Sequence, residues 1–427
     1  MSRVRAFLVL TILLSVSAVL ASASSVVKVL VDDTIQPISD EYIGRAIEQA
    51  RQTNADAVLI ELRTPGGLVD STRSIIEKML ASPVPVIVYV APSGGRAASA
   101  GFFILEAADV AAMAPGTNTG AAHPVNLGGE KMDDVMKQKL ENDSAAFMRS
   151  FVGPRGRNVA LAESGVRESK SWTDKEALEQ HLVDYVARDE QDLFQQMKGK
   201  PIKRFDGKTV TLDLVGAQVV ELPMTLKQRI LDFLLNPNIA FLVLAIGALA
   251  LYAELNHPGA ILPGVVGVVF ILLALFALNL LPVRYAAFTL IIAAFVMFAL
   301  EAKFATHGVL GVAGIALMTI GGLLLVDGPI PELRVKLWTA LSVSIPLGAI
   351  TVFLMTIALR ARRNKVVTGQ QGMIGSIGEA RTEIDPEGKV FVQGELWNAH
   401  SATHVRIGEQ VMVKKIEGLE LEVEKVG

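Results

Sequence analysis

The chain has 427 residues, room for two or three domains at roughly 100–200 residues each. Hydrophobic residues make up 51% and charged residues only 19%, against roughly 25% charged in an average soluble domain, which argues against a disordered chain and against an ordinary soluble enzyme. A net charge of −3 argues against a nucleic-acid partner, and zero cysteines exclude disulfides, thiolate metal sites and a cysteine nucleophile.

At the N-terminus, Arg3 and Arg5 precede an apolar run from Ala6 to Leu20, followed by the small residues Ala21-Ser22-Ala23. A positive start, a short apolar stretch and an A-x-A site describe a secretory signal over 1–23. The alternative is an uncleaved anchor, and in either case the residues from about Ser24 onward are exported. Residues 24–200 then read as an α/β domain. Val26–Val31, Ala57–Leu62, Val86–Val90 and Val183–Val186 are short apolar strands, and Ile38–Arg51 and Leu68–Leu80 are amphipathic helices between them. Lys139–Phe151, Asn158–Glu163 and Asp174–Gln180 also read as helical, with Gly153-Pro154 as the breaker after the first of these. Strands alternating with helices imply right-handed crossovers and a buried, largely parallel sheet.

Residues 201–237 form a connector with a hairpin turn at Phe205-Asp206-Gly207-Lys208, after which 238–360 turns strongly apolar. Ile239–Leu255, Ala260–Leu281, Tyr285–Leu300, Gly308–Val326 and Leu337–Leu359 are each close to the roughly 20 residues a bilayer requires, the first and third being the shortest. Arg360-Ala361-Arg362-Arg363-Asn364-Lys365 closes the last span, and the positive-inside rule places that cluster in the cytoplasm. Five spans then put the residues before Ile239 outside, in agreement with the export signal. The expected location is the cell (inner) membrane, multi-pass. Residues 366–427 are polar, with short strands at Lys389–Val392, His404–Val405, Gln410–Lys414 and Leu419–Val423 separated by glycines, which reads as a small OB-like barrel. Basic patches interleaved with aromatics are absent from it, so an interaction module is expected there, not a nucleic-acid binder.

Chemistry concentrates in the exported domain. Thr64-Pro65-Gly66-Gly67 follows a strand and opens a helix, a place where backbone N–H groups can face a developing anion. A second run, Pro92-Ser93-Gly94-Gly95-Arg96-Ala97-Ala98-Ser99-Ala100-Gly101, puts Ser99 among tiny residues at a helix start, with the Ala100 N–H as a second donor. On composition alone such residues also serve tight helix packing. Metal catalysis finds little support: H-E-x-x-H is absent and six scattered histidines make no ligand cluster. No cofactor is expected.

These segments, together with Met113-Ala114-Pro115-Gly116-Thr117-Asn118-Thr119-Gly120-Ala121-Ala122-His123-Pro124, Lys139-Leu140-Glu141-Asn142-Asp143 and Arg155-Gly156-Arg157-Asn158, resemble the NfeD-type membrane-bound serine proteases of the Clp class, or stomatin operon partner proteins. The resemblance covers essentially the whole chain. It implies an α/β Clp/crotonase-like exported domain, an all-α polytopic membrane domain of about five helices, and a C-terminal OB-like β-barrel. It also implies a Ser–Lys dyad: Ser99 as nucleophile, Lys139 as general base, and Gly66, Gly67 and Ala100 in the oxyanion region. A lysine can serve only if desolvation lowers its pKa from about 10.4 toward roughly 7–8. Lys137 and Lys131 are nearby alternatives. His123, 24 residues after Ser99, is an alternative base needing no such shift, whereas His181 is expected at the surface.

The implied function is that of a membrane-anchored serine endopeptidase acting on apolar segments of stomatin- or prohibitin-like (SPFH-domain) partners. A homo-oligomer, at least a dimer, is expected. A catalytically silent assembly factor for stomatin-like complexes is the alternative. A crotonase-type acyl-CoA enzyme is disfavoured by export.

Overall fold

The computed structural model describes residues 24–125, 133–256, 261–304, 306–328, 330–363 and 370–426. The signal expected over 1–23, Lys131, and the end of the cationic cluster at Asn364-Lys365 lie outside these described residues. Two compact units are present, one holding residues up to Val296 together with Ala313–Pro346, the other Met297–Val312 together with Leu347 onward.

The first unit begins with strand β1 (Ser25–Val31), helix α1 (Pro37–Thr53), β2 (Ala57–Leu62), α2 (Val69–Leu80) and β3 (Val86–Val90). There follow β4 (Arg96–Ala98), α3 (Ala100–Ala107), β5 (Val110–Met113), β6 (Asn118–Gly120), α4 (Asp134–Arg155), α5 (Val159–Arg167), β7 (Ser171–Thr173), α6 (Asp174–Glu179), β8 (Tyr185–Val186) and α7 (Glu190–Met197). The six-stranded main sheet runs β11-β1-β2-β3-β5-β8 and is parallel throughout, β11 being Gln218–Glu221. Alternate residues face opposite sides: Val58, Ile60 and Leu62 enter one core, Ala57 and Leu59 the other. That double burial makes these strands near-continuous apolar runs in the sequence. A second, three-stranded sheet runs β4-β6-β7 and is bridged through Ala97 to Thr64, just beyond the end of β2. The connector holds the hairpin of β9 (Pro201–Lys203) and β10 (Thr209–Thr211), where Gly207 takes φ 83° in the turn. β11 does not extend that hairpin; it pairs in parallel with β1.

Gly153-Pro154 does not stop α4 where the sequence suggests. The helix runs on to Arg155, and Gly156 ends it at φ 80° with its N–H on the Gly153 carbonyl. Pro154 has no N–H to give to the Ser150 carbonyl, so it costs the helix one bond immediately before Gly156 closes it.

Helix α8 (Leu226–Leu235) leads into the apolar helices α9 (Pro237–Asn256), α10 (Leu262–Asn279), α11 (Tyr285–Phe304), α12 (Val309–Leu325) and α13 (Leu337–Arg363). Four of these regions are long and apolar enough to cross a bilayer, and Val309–Leu325 is apolar but has 17 residues, the lower limit for a span. The short helix is therefore α12, not the two expected, because both its ends are fixed. At its start the Glu301 carboxylate accepts from the N–H groups of Gly308, Leu310 and Gly311 at 2.9, 3.0 and 3.2 Å. At its end Val326 enters a bridge with Val283. Helices α9 and α10 approach closely at glycines: a Cβ on Gly267 would lie 2.9 Å from the Gly247 carbonyl oxygen, the small-residue contact membrane helices use to pack.

In the second unit, a short turn α14 (Gln370–Met373) precedes a closed barrel of β12 (Ile377–Ala380), β13 (Glu387–Val392), β14 (Glu395–His400), β15 (Gln410–Glu417) and β16 (Glu420–Lys425), in the order β12-β13-β14-β16-β15. Its interior is aliphatic, with Val390, Val411, Val413 and Leu421 fully buried. His404–Val405, expected as a strand, contributes only an isolated bridge from Val405 to Ile384.

Candidate active site

The two glycine-containing loops leave the carboxyl ends of β2 and β3, the edge where parallel sheets form their ligand crevices. They are stitched together: the Thr64 N–H donates to the Arg96 carbonyl at 2.8 Å, and the Ala98 N–H to the Thr64 carbonyl at 3.1 Å. Thr119 adds a hydroxyl bond to the Ala97 carbonyl at 2.8 Å. Strand β4 is thus held from both sides and delivers Ser99 to the start of α3.

Ser99 adopts φ 53° and ψ −113°. A positive φ on a residue with a Cβ costs of order 1–3 kcal/mol and persists only where neighbours enforce it. Here the Ser99 N–H donates to the Gly120 carbonyl at 2.8 Å and its own carbonyl accepts from Phe102 at 3.0 Å. The Ser99 side chain makes no capping bond to α3, so the hydroxyl is left to the cavity that the residue lines.

Gly66 and Gly67 have distinct steric reasons to be glycine. Gly66 has φ 125°, and a Cβ there would lie 2.8 Å from the Ser99 Cβ and 3.2 Å from its Oγ. Its N–H is occupied by Thr64 Oγ1 at 3.1 Å. A Cβ on Gly67 would lie 2.1 Å from the Ile35 carbonyl oxygen. Ile35 bonds to the residues on either side: its N–H donates to the Gly66 carbonyl at 2.8 Å, and its carbonyl accepts from the Leu68 N–H at 2.8 Å. In such a parallel bridge the N–H of the central residue, Gly67, points the other way, toward the cavity Gly67 lines. Ala100, first residue of α3, lines it too, and a first-turn N–H has no intrahelical acceptor.

The cavity has a volume of about 420 Å³ and is mainly apolar, with Leu68, Phe103, Leu140, Phe147 and Ile330 among its walls. Arg73 lies over the Phe147 ring at 4.3 Å and is ion-paired with Asp143, adding one polar corner. His123 also lines it. Its Nδ1 is 3.0 Å from the Val166 carbonyl, which can only accept, so Nδ1 carries the proton and Nε2 of the neutral ring is an acceptor. Helix α4 presents Leu140, Asp143, Ser144 and Phe147 to the cavity, a single face at helical spacing. Lys139 sits on the flank of that face with its side chain exposed, and Lys137 is exposed as well. Ser99, Gly67, Ala100 and His123 are therefore gathered around one space with Gly66 beside them, while Lys139 is not among the residues that line it. His181 is exposed, away from that lining.

Behind α3 lies a buried charge cluster that the sequence does not mark as support for the site. Arg155 pairs with Asp109 and donates to the Ala107 carbonyl at 2.8 Å. Arg157 donates to the Glu106 carbonyl at 2.7 Å, the Ala108 carbonyl at 3.1 Å and the Asp184 carboxylate at 2.6 Å. Two cations thus satisfy the last carbonyls of the helix that carries Ser99 at its other end, where the helix dipole favours positive charge. The Glu106 side chain is completely buried, and burial pushes its carboxyl up to about 8, Arg157 offsetting part of the effect. The run Arg155-Gly156-Arg157-Asn158 is visible in the sequence, but its target, the far end of α3, is not.

Sheet, serine-bearing helix start, apolar helices and barrel define a membrane-tethered protein with a Clp/crotonase-like α/β domain. Family models match three segments: the NfeD1b N-terminal domain over residues 25–198, the NfeD integral membrane domain over 238–357, and the NfeD-like C-terminal, partner-binding domain over 370–425. The chain is 35% identical over 395 residues to the membrane-bound protease PH1510 of Pyrococcus horikoshii, covering 89% of each. To the membrane protein NfeD1b of Bacillus subtilis it is 27% identical over 433 residues, 95% of this chain and 94% of the other. A solved structure, the 1510-N membrane protease specific for a stomatin homolog from Pyrococcus horikoshii, matches with 31% identity and a TM-score of 0.44, over 50% of this chain and 98% of that one. The chain belongs to the NfeD family of membrane proteins, the stomatin operon partner proteins, which includes a membrane-bound protease.

Proposed function

We propose that the chain is a membrane-anchored serine endopeptidase with Ser99 as its nucleophile. The observation that carries this reading is the enforced positive φ of Ser99, which leaves an uncapped hydroxyl in a cavity beside two outward N–H groups. Ser99 Oγ attacks a peptide carbonyl, its proton passes to the general base, and the carbonyl oxygen becomes an anion held by the Gly67 and Ala100 N–H groups. Collapse expels the amine, which takes the proton from the base, and water then hydrolyses the acyl-enzyme by the same route. Gly66 allows the loop to lie across the serine.

The base in this reading is Lys139, forming a Ser–Lys dyad when the early turns of α4 close toward the serine. A specific observation favours His123 as a second candidate: it already lines the cavity and its tautomer leaves Nε2 as the acceptor. The cavity's apolar walls suit an apolar segment of a membrane-associated substrate. A stomatin-like partner fits both the stomatin-homolog specificity in the name of the similar Pyrococcus horikoshii protease and the partner-binding description of the C-terminal family model. We place the α/β domain outside the cell membrane and the barrel in the cytoplasm. The links that follow α10 and α12 support this, since they meet at one end: Val283 bridges Val326, and the Asp327 N–H donates to the Pro282 carbonyl at 2.8 Å.

The test is labelling of the full chain by a fluorophosphonate or a peptide chloromethyl ketone between about pH 6 and 9. Labelling and peptide hydrolysis, both abolished by Ser99→Ala, are expected. A well-folded protein that takes no label across that range would instead be the silent assembly factor.

A further inference from the structure

Resting on the peptidase reading above, we propose that the membrane domain supplies part of the substrate cavity: Ile330, from the link between α12 and α13, is a specificity-determining wall of the Ser99 site. Ile330 lines the same cavity as Ser99, Leu140 and Phe147, although 231 positions separate it from Ser99 and membrane-domain helices flank it on both sides in the chain. The neighbouring Glu332 reaches the α/β domain directly, pairing with Arg96 at 3.2 Å at the first residue of β4, the strand that ends at the serine. That pair is exposed on both sides, so it contributes little on its own and serves to register the link against the serine loop.

The link is also braced, which a wall must be. Asp327 pairs with Arg284 at 2.8 Å, the Arg284 N–H donates to the Leu325 carbonyl at 3.1 Å, and the Lys336 N–H donates to Asn238 Oδ1 at 2.9 Å. Within the link, Arg334 donates to the Gly328 carbonyl at 2.8 Å and Leu333 is 1% exposed. A Cβ on Gly328 would lie 2.3 Å from the Leu333 carbonyl oxygen, so the link folds tightly on itself. Ile330 lines the apolar space from this arch. An extended peptide bound beside Ser99 would therefore meet a side chain that belongs to the membrane domain, and its preference among apolar residues would depend on that side chain.

The experiment uses the full chain in lipid nanodiscs, with Ile330→Ala and Ile330→Trp compared to wild type on peptides that carry Ala, Leu, Phe or Trp at one varied position. Each protein is also titrated with the active-serine probe. Ile330→Trp narrows the cavity and should lower kcat/KM for the Phe peptide about tenfold relative to the Ala peptide, and Ile330→Ala should shift preference the opposite way, toward the larger rings. Glu332→Arg, which sets like charges beside Arg96, should weaken discrimination among the apolar peptides. Retained probe labelling with unchanged peptide ratios, or a uniform loss on every peptide, overturns the wall while leaving the peptidase reading intact. Absent labelling in wild type overturns both.

Discussion

Replacing Glu106 by Gln isolates one buried ionisable group in the serine-bearing helix. Glu106 is inside α3 with 0% exposure, and neither carboxyl oxygen finds a hydrogen-bond partner among the described residues. Burial moves its carboxyl from 4.5 to about 8, so the folded state holds the neutral acid at pH 7 whereas the unfolded chain ionises. A raised carboxyl stabilises the fold fully below about pH 4.5 and loses that contribution as the pH climbs toward 8. At about 1.4 kcal/mol per pH unit, the wild-type domain should lose of order 3–5 kcal/mol over that window through this group. The Gln variant has no such proton, so its stability relative to wild type should rise with pH. Any constant difference in packing cancels in the slope. The assay is amide hydrogen exchange of the peptide spanning 100–108 in the full chain, corrected for intrinsic rates, from pH 5 to 8. Parallel pH slopes for the two proteins refute the neutral buried acid, and a variant that loses ground with rising pH refutes the sign.

The remaining expectations concern the loops, the helix support and the base. Gly67→Ala forces a Cβ to 2.1 Å from the Ile35 carbonyl oxygen, so the loop must shift and peptide hydrolysis should fall at least a hundredfold, about the cost of losing one oxyanion donor; wild-type turnover would show that Gly67 is not part of the machinery. Arg157→Ala leaves the buried carbonyls of Glu106 and Ala108 without their donor, while the partly exposed Asp184 keeps the Ala111 N–H, for a loss of about 1–3 kcal/mol in thermal or chemical denaturation monitored at the α/β domain. For the base, Lys139→Ala should remove hydrolysis while leaving peptide binding in place. If His123→Ala removes it and Lys139→Ala does not, the proton goes to the imidazole.

Four strands of the main sheet (β1, β2, β3 and β8) and the membrane helices can be read from the sequence because each is encoded locally, whereas β5, only four residues long, is not read. Val58-Leu59-Ile60 is apolar on both faces of a parallel strand, and five apolar stretches need no partner to be recognised. The second sheet is illegible there because β4, β6 and β7 have three residues each, too few for any periodicity, and acquire strand geometry from one another and, for β4, from Thr64. β11 escapes for a different reason: its partner β1 lies at the opposite end of the domain sequence. In the barrel, β12 carries Gly378, whose Cβ would lie 2.6 Å from Val392, so close packing against β13 there excludes the side chain that would have marked a strand. Ser99 and the glycine loops stand out by composition. Ile330 does not, since nothing in a link between two apolar helices points toward a serine in another domain.

The pair of guanidinium groups at the rear of α3 has a mechanical corollary. A rod gripped at its tail by Arg155 and Arg157 cannot slide along its own axis, so the hydroxyl at its tip keeps a fixed address. Switching such a centre on or off then falls to its surroundings: the front half of α4, which carries Lys139, or the arch bearing Ile330. Lateral events in the bilayer would reach the proposed centre through that arch without displacing Ser99.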